Sequence, residues 1–240
     1  MLKSYIKSAL LTAAVILSNL GAAFANGDDI LRRVDEIRAP GSNFSFDVKV
    51  TTGSGASMRM NVIIKDQTKG LVQYVSPAKS AGRSILFVGR NMWVHVPGGR
   101  RALRISPQQQ VLGGVSSADV ARTVYSADYA VAGVDSAGEG KQVLHLNANS
   151  RAAAYGKIDL TVAADSSKPL MAVFYSANGR RMLKTVYFEG YKTVLGRKRP
   201  TRLRVVDHMA GDAVTTMVYS SYRMQKTPEA WFQPSYLSRL

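Results

Sequence analysis

The chain is expected to be mainly β, one long antiparallel meander whose sheet curls on itself. From Phe44 almost to the C-terminus, apolar residues recur at every second position, which is the period of a half-buried strand. Gly, Pro, Asn and Asp turn signals such as Asn178-Gly179 and Gly211-Asp212 stand between most of these runs. About eleven strands read this way, and one antiparallel sheet of that size has to curl.

The first residues belong to something else. Lys3 and Lys7 precede an apolar run from Ala9 to Leu17, and small residues close it at Ala23-Phe24-Ala25. This predicts a secretory signal peptide over residues 1–25, cut before Asn26, with residues 26–240 as one domain. A membrane-spanning helix is the competing reading, but the run is well short of the roughly 20 residues a bilayer core demands. Export places the protein in the periplasm of a Gram-negative cell, with secretion to the outside as the second address. The sequence holds no cysteine, which excludes both a disulfide framework and a lipid attached to an N-terminal cysteine.

Charge narrows the partners. The exported part keeps 30 of the 32 Lys and Arg and all 16 Asp and Glu, a surplus of +14. Such a surplus suits nucleic acid or an anionic surface. Export argues against nucleic acid and leaves phospholipid headgroups, lipopolysaccharide phosphate or an acidic protein face. Each basic side chain near an anionic membrane contributes about 1 kcal/mol. Solubility alone is the plainer reading of the same surplus.

Taken in order, "DDILRRVDEIRAP" places Ile30, Leu31, Val34 and Ile37 at helical spacing, with Asp28 and Asp29 at the favourable end and Pro40-Gly41 as the stop. "FSFDVKV" and "SMRMNVIIKD" alternate about a Gly/Ser turn and form a long hairpin. The strand rhythm breaks between Ile105 and Tyr129, where Ser116 or Ser117 is a candidate N-cap for a short helix. At the far end, Pro228 opens a second helical piece carrying Trp231, Phe232, Tyr236 and Leu237, limited by Pro234. Both pieces are expected to cover the open face of the curled sheet and to move as lids.

"SPAKSAGRSILFVGRNMWVHVPGGRRALRIS", followed by "GGVSSADVA", resembles the outer-membrane lipoprotein-sorting group of the LolA/LolB-like superfamily. The matching positions are Pro77, Gly82, Asn91, Met92, Trp93, Pro97, Arg101, Arg104, Ile105, Ser117 and Asp119. "LGGVSSADV" is small and smooth where members of that group often carry aromatics. The resemblance implies an incomplete, strongly curved half β-barrel capped by short helices, with a concave apolar face that receives acyl chains of a lipid or lipoprotein. It implies no enzyme activity and no cofactor. An inner-membrane lipid exporter of the resistance-nodulation-division (RND) type, an outer-membrane acceptor and transient contact with the membrane surface are the partners it suggests.

The hollow would be lined in its first half by Phe44, Phe46, Val48, Met58, Met60, Val62 and Ile64. Phe87, Met92, Trp93 and Val94 continue it, and Phe174, Met182, Val186 and Met217 complete the far half. Methionine's flexible thioether suits a pocket that accepts varied cargo, though any one such residue could equally be ordinary core. Holding a 14- to 16-carbon chain out of water takes on the order of 10 kcal/mol of apolar contact. Arg100, Arg101 and Arg104 in one hairpin, with Arg197, Lys198 and Arg199 in another, read as docking patches or as charge that protects sheet edges.

Catalysis finds little support. His95, His145 and His208 fall in separate strands without metal-ligand spacing, and no G-x-S-x-G elbow occurs. Asp47, Asp66, Asp159 and Glu189 give no sign of converging. The leading expectation is a carrier; a periplasmic adaptor or regulatory sensor on the same fold, binding a membrane protein's periplasmic domain through its basic face, is the alternative.

Overall fold

The computed structural model describes residues 27–121 and 124–240, so the segment read as a signal peptide lies outside the described residues. Helix α1 runs over residues 27–38. It buries Ile30, Leu31 and Val34. A first meander follows: β1 (Asn43–Thr52), β2 (Ser57–Lys65), β3 (Lys69–Ser76), β4 (Ser84–Val88), β5 (Asn91–His95) and β6 (Leu103–Ile105). The connection after it carries a small hairpin, β7 (Gln110–Leu112) and β8 (Val115–Ser116), and the short helix α2 (Ser117–Ala121). A second meander comprises β9 (Tyr129–Ser136), β10 (Lys141–Ala148), β11 (Lys157–Ala163), β12 (Pro169–Tyr175), β13 (Met182–Val194), β14 (Arg197–Asp207) and β15 (Ala213–Met224).

The two meanders join into one sheet of 13 strands, ordered β6-β5-β4-β3-β2-β1-β15-β14-β13-β12-β11-β10-β9. The strand count therefore exceeds the eleven or so read from the alternation. Every neighbour but one is also a neighbour in sequence; the exception is β1–β15, where Val50 faces Met217 and Val48 faces Tyr219. Tight turns make the long hairpins. Leu195 and Gly196, both at positive φ (47° and 78°), form the two-residue turn between β13 and β14, a geometry that matches strand twist.

The sheet is bent into a trough. Arg90, in the β4–β5 turn, donates a 3.1 Å hydrogen bond to the side-chain oxygen of Asn149, just past β10. Those strands are about nine intervals apart in the sheet, a separation of about 43 Å if it were flat. β6 and β9 do not pair, so the trough stays open along one side. The connection from β6 to β9 has to cross that opening, and this is why the residues between Ile105 and Tyr129 lose the strand rhythm.

Alternation assigns the faces. Phe44, Phe46, Val48 and Val50 of β1 are each at most 1% exposed and point into the trough. Gly70 leaves room for this layer, since a Cβ there would lie 2.0 Å from the Phe87 ring. On the opposite, convex face, Ile63, Leu71, Leu86 and Trp93 form a cross-strand row over β2–β5. Phe232 and Leu237 pack onto it from the C-terminal 3-10 turns Glu229–Phe232 and Pro234–Arg239. Lys65 anchors the segment through the Thr227 carbonyl (2.9 Å) and Glu229 (3.0 Å). The C-terminal piece thus covers the back of the sheet and not its open face, because the apolar row it seals has no other cover.

Candidate ligand-binding face

Most residues expected in the hollow do face it. Phe44, Phe46, Val48, Met58, Met60, Val62, Ile64, Phe87, Met92, Phe174, Val186 and Met217 are all buried in the trough cluster, and Val94 packs against it partly buried. Two residues do not. Trp93 lies one step out of phase with Met92 and Val94, so it joins the convex row beside Trp231. Met182 is 43% exposed: an irregular register pairs Tyr175 with Met182 but Phe174 with Lys184, which moves Met182 to the outer face and inserts Leu183.

The trough is filled from above. α1 contributes Ile30, Leu31 and Val34, and the crossing segment contributes Val115, Ala118, Val120 and Ala121, all in the same cluster as the sheet's inner residues. Among the described residues, the spaces left between these elements and the sheet's inner face include two of about 40 Å³ and 30 Å³. An apolar cavity of about 150 Å³ is what benzene occupies, so neither void holds an acyl chain. The partly vacant bowl expected from the sequence is closed here by elements that do not belong to the sheet.

The closing elements are held by polar contacts within an apolar interior. Ser116 caps α2: its backbone N–H (2.7 Å) and hydroxyl (2.8 Å) donate to Asp119 Oδ2. The Asp119 N–H reaches back toward the hydroxyl at 3.4 Å, a reciprocal cap. Asp119 also accepts from the Tyr155 hydroxyl (3.0 Å) and from Lys184 of β13, a pair with side chains only 12% and 5% exposed. From α1, Asp35 accepts the backbone N–H groups of Tyr125 (2.7 Å) and Ser126 (2.9 Å). Burial raises the Asp35 carboxyl above its ordinary range, against the pull of Arg38 and those two N–H groups. Arg38 lies flat on the Tyr125 ring, 3.7 Å from its centre.

Gly113 and Gly114 seat the β7–β8 hairpin on the ends of the second meander. A Cβ on Gly113 would meet Thr215 Oγ1 at 2.2 Å, and one on Gly114 would meet the Asp207 Cβ at 2.9 Å. The small residues of "LGGVSSADV" are therefore a packing requirement. Beneath the hairpin an open cleft of about 240 Å³ runs past Gln108, Tyr155 and Met209 to Lys184.

The basic hairpins divide. Arg100, Arg101 and Arg104 are exposed, with Arg104 hydrogen bonded to Asn91. Arg197 pairs with Glu36 at 2.6 Å, and Lys198 is exposed. Arg199 does not serve the surface: it is 3% exposed and donates to the carbonyls of Glu36, Ile37 (2.8 Å) and Val194 (3.2 Å), closing the C-terminal end of α1. Arg38, Asp35, Lys184 and the Asp119 contacts were not singled out as site residues in the sequence. A signal existed for two of them, since Asp35 and Arg38 follow Leu31 at helical spacing on the stripe that α1 buries.

Among the described residues, no group of three or more His, Cys, Asp or Glu side chains is placed to hold a metal ion. No helix among them is long and apolar enough to cross a membrane.

A trough-shaped open sheet with its apolar face covered by a helix and a crossing segment defines the class: an incomplete β-barrel capped on its concave side. A family model described only as an uncharacterized protein matches residues 66–239. A LolA superfamily protein from Nitrosomonas europaea is similar at 31% identity and a TM-score of 0.79, over 88% of this chain and 98% of that one. The chain belongs to the LolA superfamily. An outer membrane lipoprotein-sorting protein domain from Vibrio parahaemolyticus shares the fold at 20% identity and a TM-score of 0.70, over 88% of this chain and 97% of that one. A DUF1329 family protein from Desulfovibrio piger does so at 20% and 0.70, over 90% and 99%. No curated protein matches.

Proposed function

We propose that the protein is a periplasmic carrier, made as a precursor whose first 25 residues are removed and whose remainder, residues 26–240, acts as one lipid-binding domain. It takes the acyl chains of a lipid or lipoprotein onto the concave face and passes them toward the outer membrane. It receives its cargo from an inner-membrane exporter of the RND type, with brief contact at the membrane surface. One observation carries the reading: the sheet's apolar face is covered by α1 and the crossing segment, which a few buried polar contacts hold in place. Lifting the crossing segment exposes Met217, Val186 and Phe174, apolar residues of the sheet's inner face that line the void beneath it. A closed resting state also keeps affinity moderate, so that cargo leaves at the acceptor.

The exposed Arg100, Arg101 and Arg104 form the docking patch for anionic lipid or an acidic protein face, joined by Lys198. Replacing the three arginines by glutamate is expected to abolish transfer to acceptor membranes while uptake of a fluorescent fatty acid persists. Loss of uptake in that variant, or no uptake and no copurified lipid in the wild type, contradicts the carrier reading.

The filled trough also favours a second reading, an adaptor or sensor module that binds the periplasmic domain of a membrane protein through its basic face. An adaptor retains partner binding when Met60 or Val62 is replaced by aspartate in a protein that still folds. The carrier loses uptake.

A further inference from the structure

The two internal voids meet at one guanidinium. Arg38, on the last turn of α1, lines both of them, and its side chain is 12% exposed. One face rests on Tyr125, and Phe188 lies 5.9 Å away. Nη1 is shut off from solvent and finds no hydrogen-bond acceptor among the described residues. Its nearest carboxylate oxygen, Asp35 Oδ1, is 3.9 Å away, beyond hydrogen-bond length, and that carboxylate already accepts two backbone N–H groups.

Two more carboxylates line the voids: Asp119, which borders both and is engaged by Lys184, Ser116 and Tyr155, and the buried Asp128, which borders the first. Across the second void, the Tyr219 hydroxyl donates, among the described residues, to the Met217 thioether at 3.8 Å, a weak acceptor. Burial raises the hydroxyls of Tyr219 and Tyr222, the latter to about 12, so both stay protonated donors at neutral pH. The interior thus holds a cation with a donor left over and a hydroxyl whose one proton rests on a weak acceptor, in voids lined by aromatic and aliphatic side chains together with Asp119 and, in the first, Asp128. A buried donor without an acceptor is costly, and a charged acceptor is what relieves it most.

We propose that Arg38, with the Tyr219 hydroxyl, binds the anionic headgroup of an amphiphile, a carboxylate or phosphate joined to hydrocarbon, whose chain lies along the concave face. This rests on the carrier reading, because such a ligand enters only when the crossing segment lifts. It adds to that reading a preference for charge: the headgroup is drawn inward and the ligand is selected by it, where a purely apolar trough would select by chain alone.

The test uses the mature chain at pH 8 with N-phenyl-1-naphthylamine, an uncharged fluorophore, as reporter. Myristate, tetradecyl phosphate and tetradecanol share one chain and compete for it below their aggregation limits. The expected result is that at least one anion displaces the reporter at a concentration tenfold or more below that of the alcohol; the stronger anion identifies the headgroup. In Arg38→Met the anions fall to the level of the alcohol, a ratio that stays readable where loss of the Tyr125 contact shifts reporter and alcohol binding together, and Arg38→Lys keeps part of the preference. Equal displacement by all three ligands in the wild type, or a preference that survives Arg38→Met, overturns the inference and leaves the carrier reading standing. Should Arg38→Met not fold, the wild-type comparison and Arg38→Lys decide alone. A wild type that takes up neither the reporter nor any of the three ligands overturns the carrier reading, and the inference with it.

Discussion

Asp35→Asn loosens the closed state at a defined point. The carboxylate of Asp35, 6% exposed, holds the far end of the crossing segment to α1 through the N–H groups of Tyr125 and Ser126. A hydrogen bond to a charged acceptor contributes about 1.5–3 kcal/mol, and an asparagine keeps one acceptor oxygen where the carboxylate has two. The variant turns its NH2 group toward the second N–H, so one bond is lost. Part of that loss is offset, because burial already disfavours the charged carboxyl. A net weakening of about 1–2 kcal/mol remains, which corresponds to on the order of tenfold in the opening equilibrium.

Hydrogen exchange resolved by residue measures it: the amides of Tyr125 and Ser126 are expected to exchange on the order of tenfold faster, with protection in β1 and β14 unchanged. Apparent affinity for a fatty-acid probe rises by the same factor, since less of the protein is shut. Wild-type exchange at those two amides would refute the idea that Asp35 latches the segment. Loss of protection across the whole sheet would show instead that Asp35 supports the fold at large.

Gly70→Ala forces a Cβ into the Phe87 ring and is expected to cost about 1–3 kcal/mol, read as a fall in the urea midpoint. Leu237→Ala removes a fully buried side chain from the convex cluster; it costs about 2–5 kcal/mol in the same assay yet leaves probe uptake intact, since it touches the other face. His145 hydrogen bonds Asp159 (2.6 Å) and Asp135 (3.0 Å), which raises its imidazole above 6.5. Its contribution to stability is therefore complete below pH 6.5 and is lost as pH rises through the folded-state value. An NMR titration midpoint at or below 6.5, or a stability gap to His145→Gln that widens at high pH, would contradict this.

The strand rhythm was legible because burial on one face imposes a period of two, and it located the trough-facing residues of β1, β2 and β4 correctly. One departure arises where a local event changes phase. Met182 alternates properly in the sequence, but the irregularity between Phe174 and Tyr175 moves it to the outer face. Trp93 keeps its phase; the apolar row behind the sheet made it useful there, and that row is visible only once the strands are ordered side by side. Arg199 reads as one more surface cation in "GRKRP", yet the end of α1, which lies far away in sequence, supplies the carbonyls that bury it. Asp119 and Lys184 meet across 65 residues, a pairing no local pattern records.

The central claim is that the trough takes cargo only when the β7–β8 hairpin and α2 lift. The absence of native cysteine allows a direct test with Gly114→Cys and Asp207→Cys, whose Cβ atoms would lie about 2.9 Å apart, within a small hairpin shift of disulfide geometry. Uptake of a fluorescent fatty acid is measured with the bridge formed and after reduction. A trough that opens beneath this hairpin gives no uptake when oxidised and wild-type uptake when reduced; equal uptake in both states would show that cargo does not pass beneath this segment.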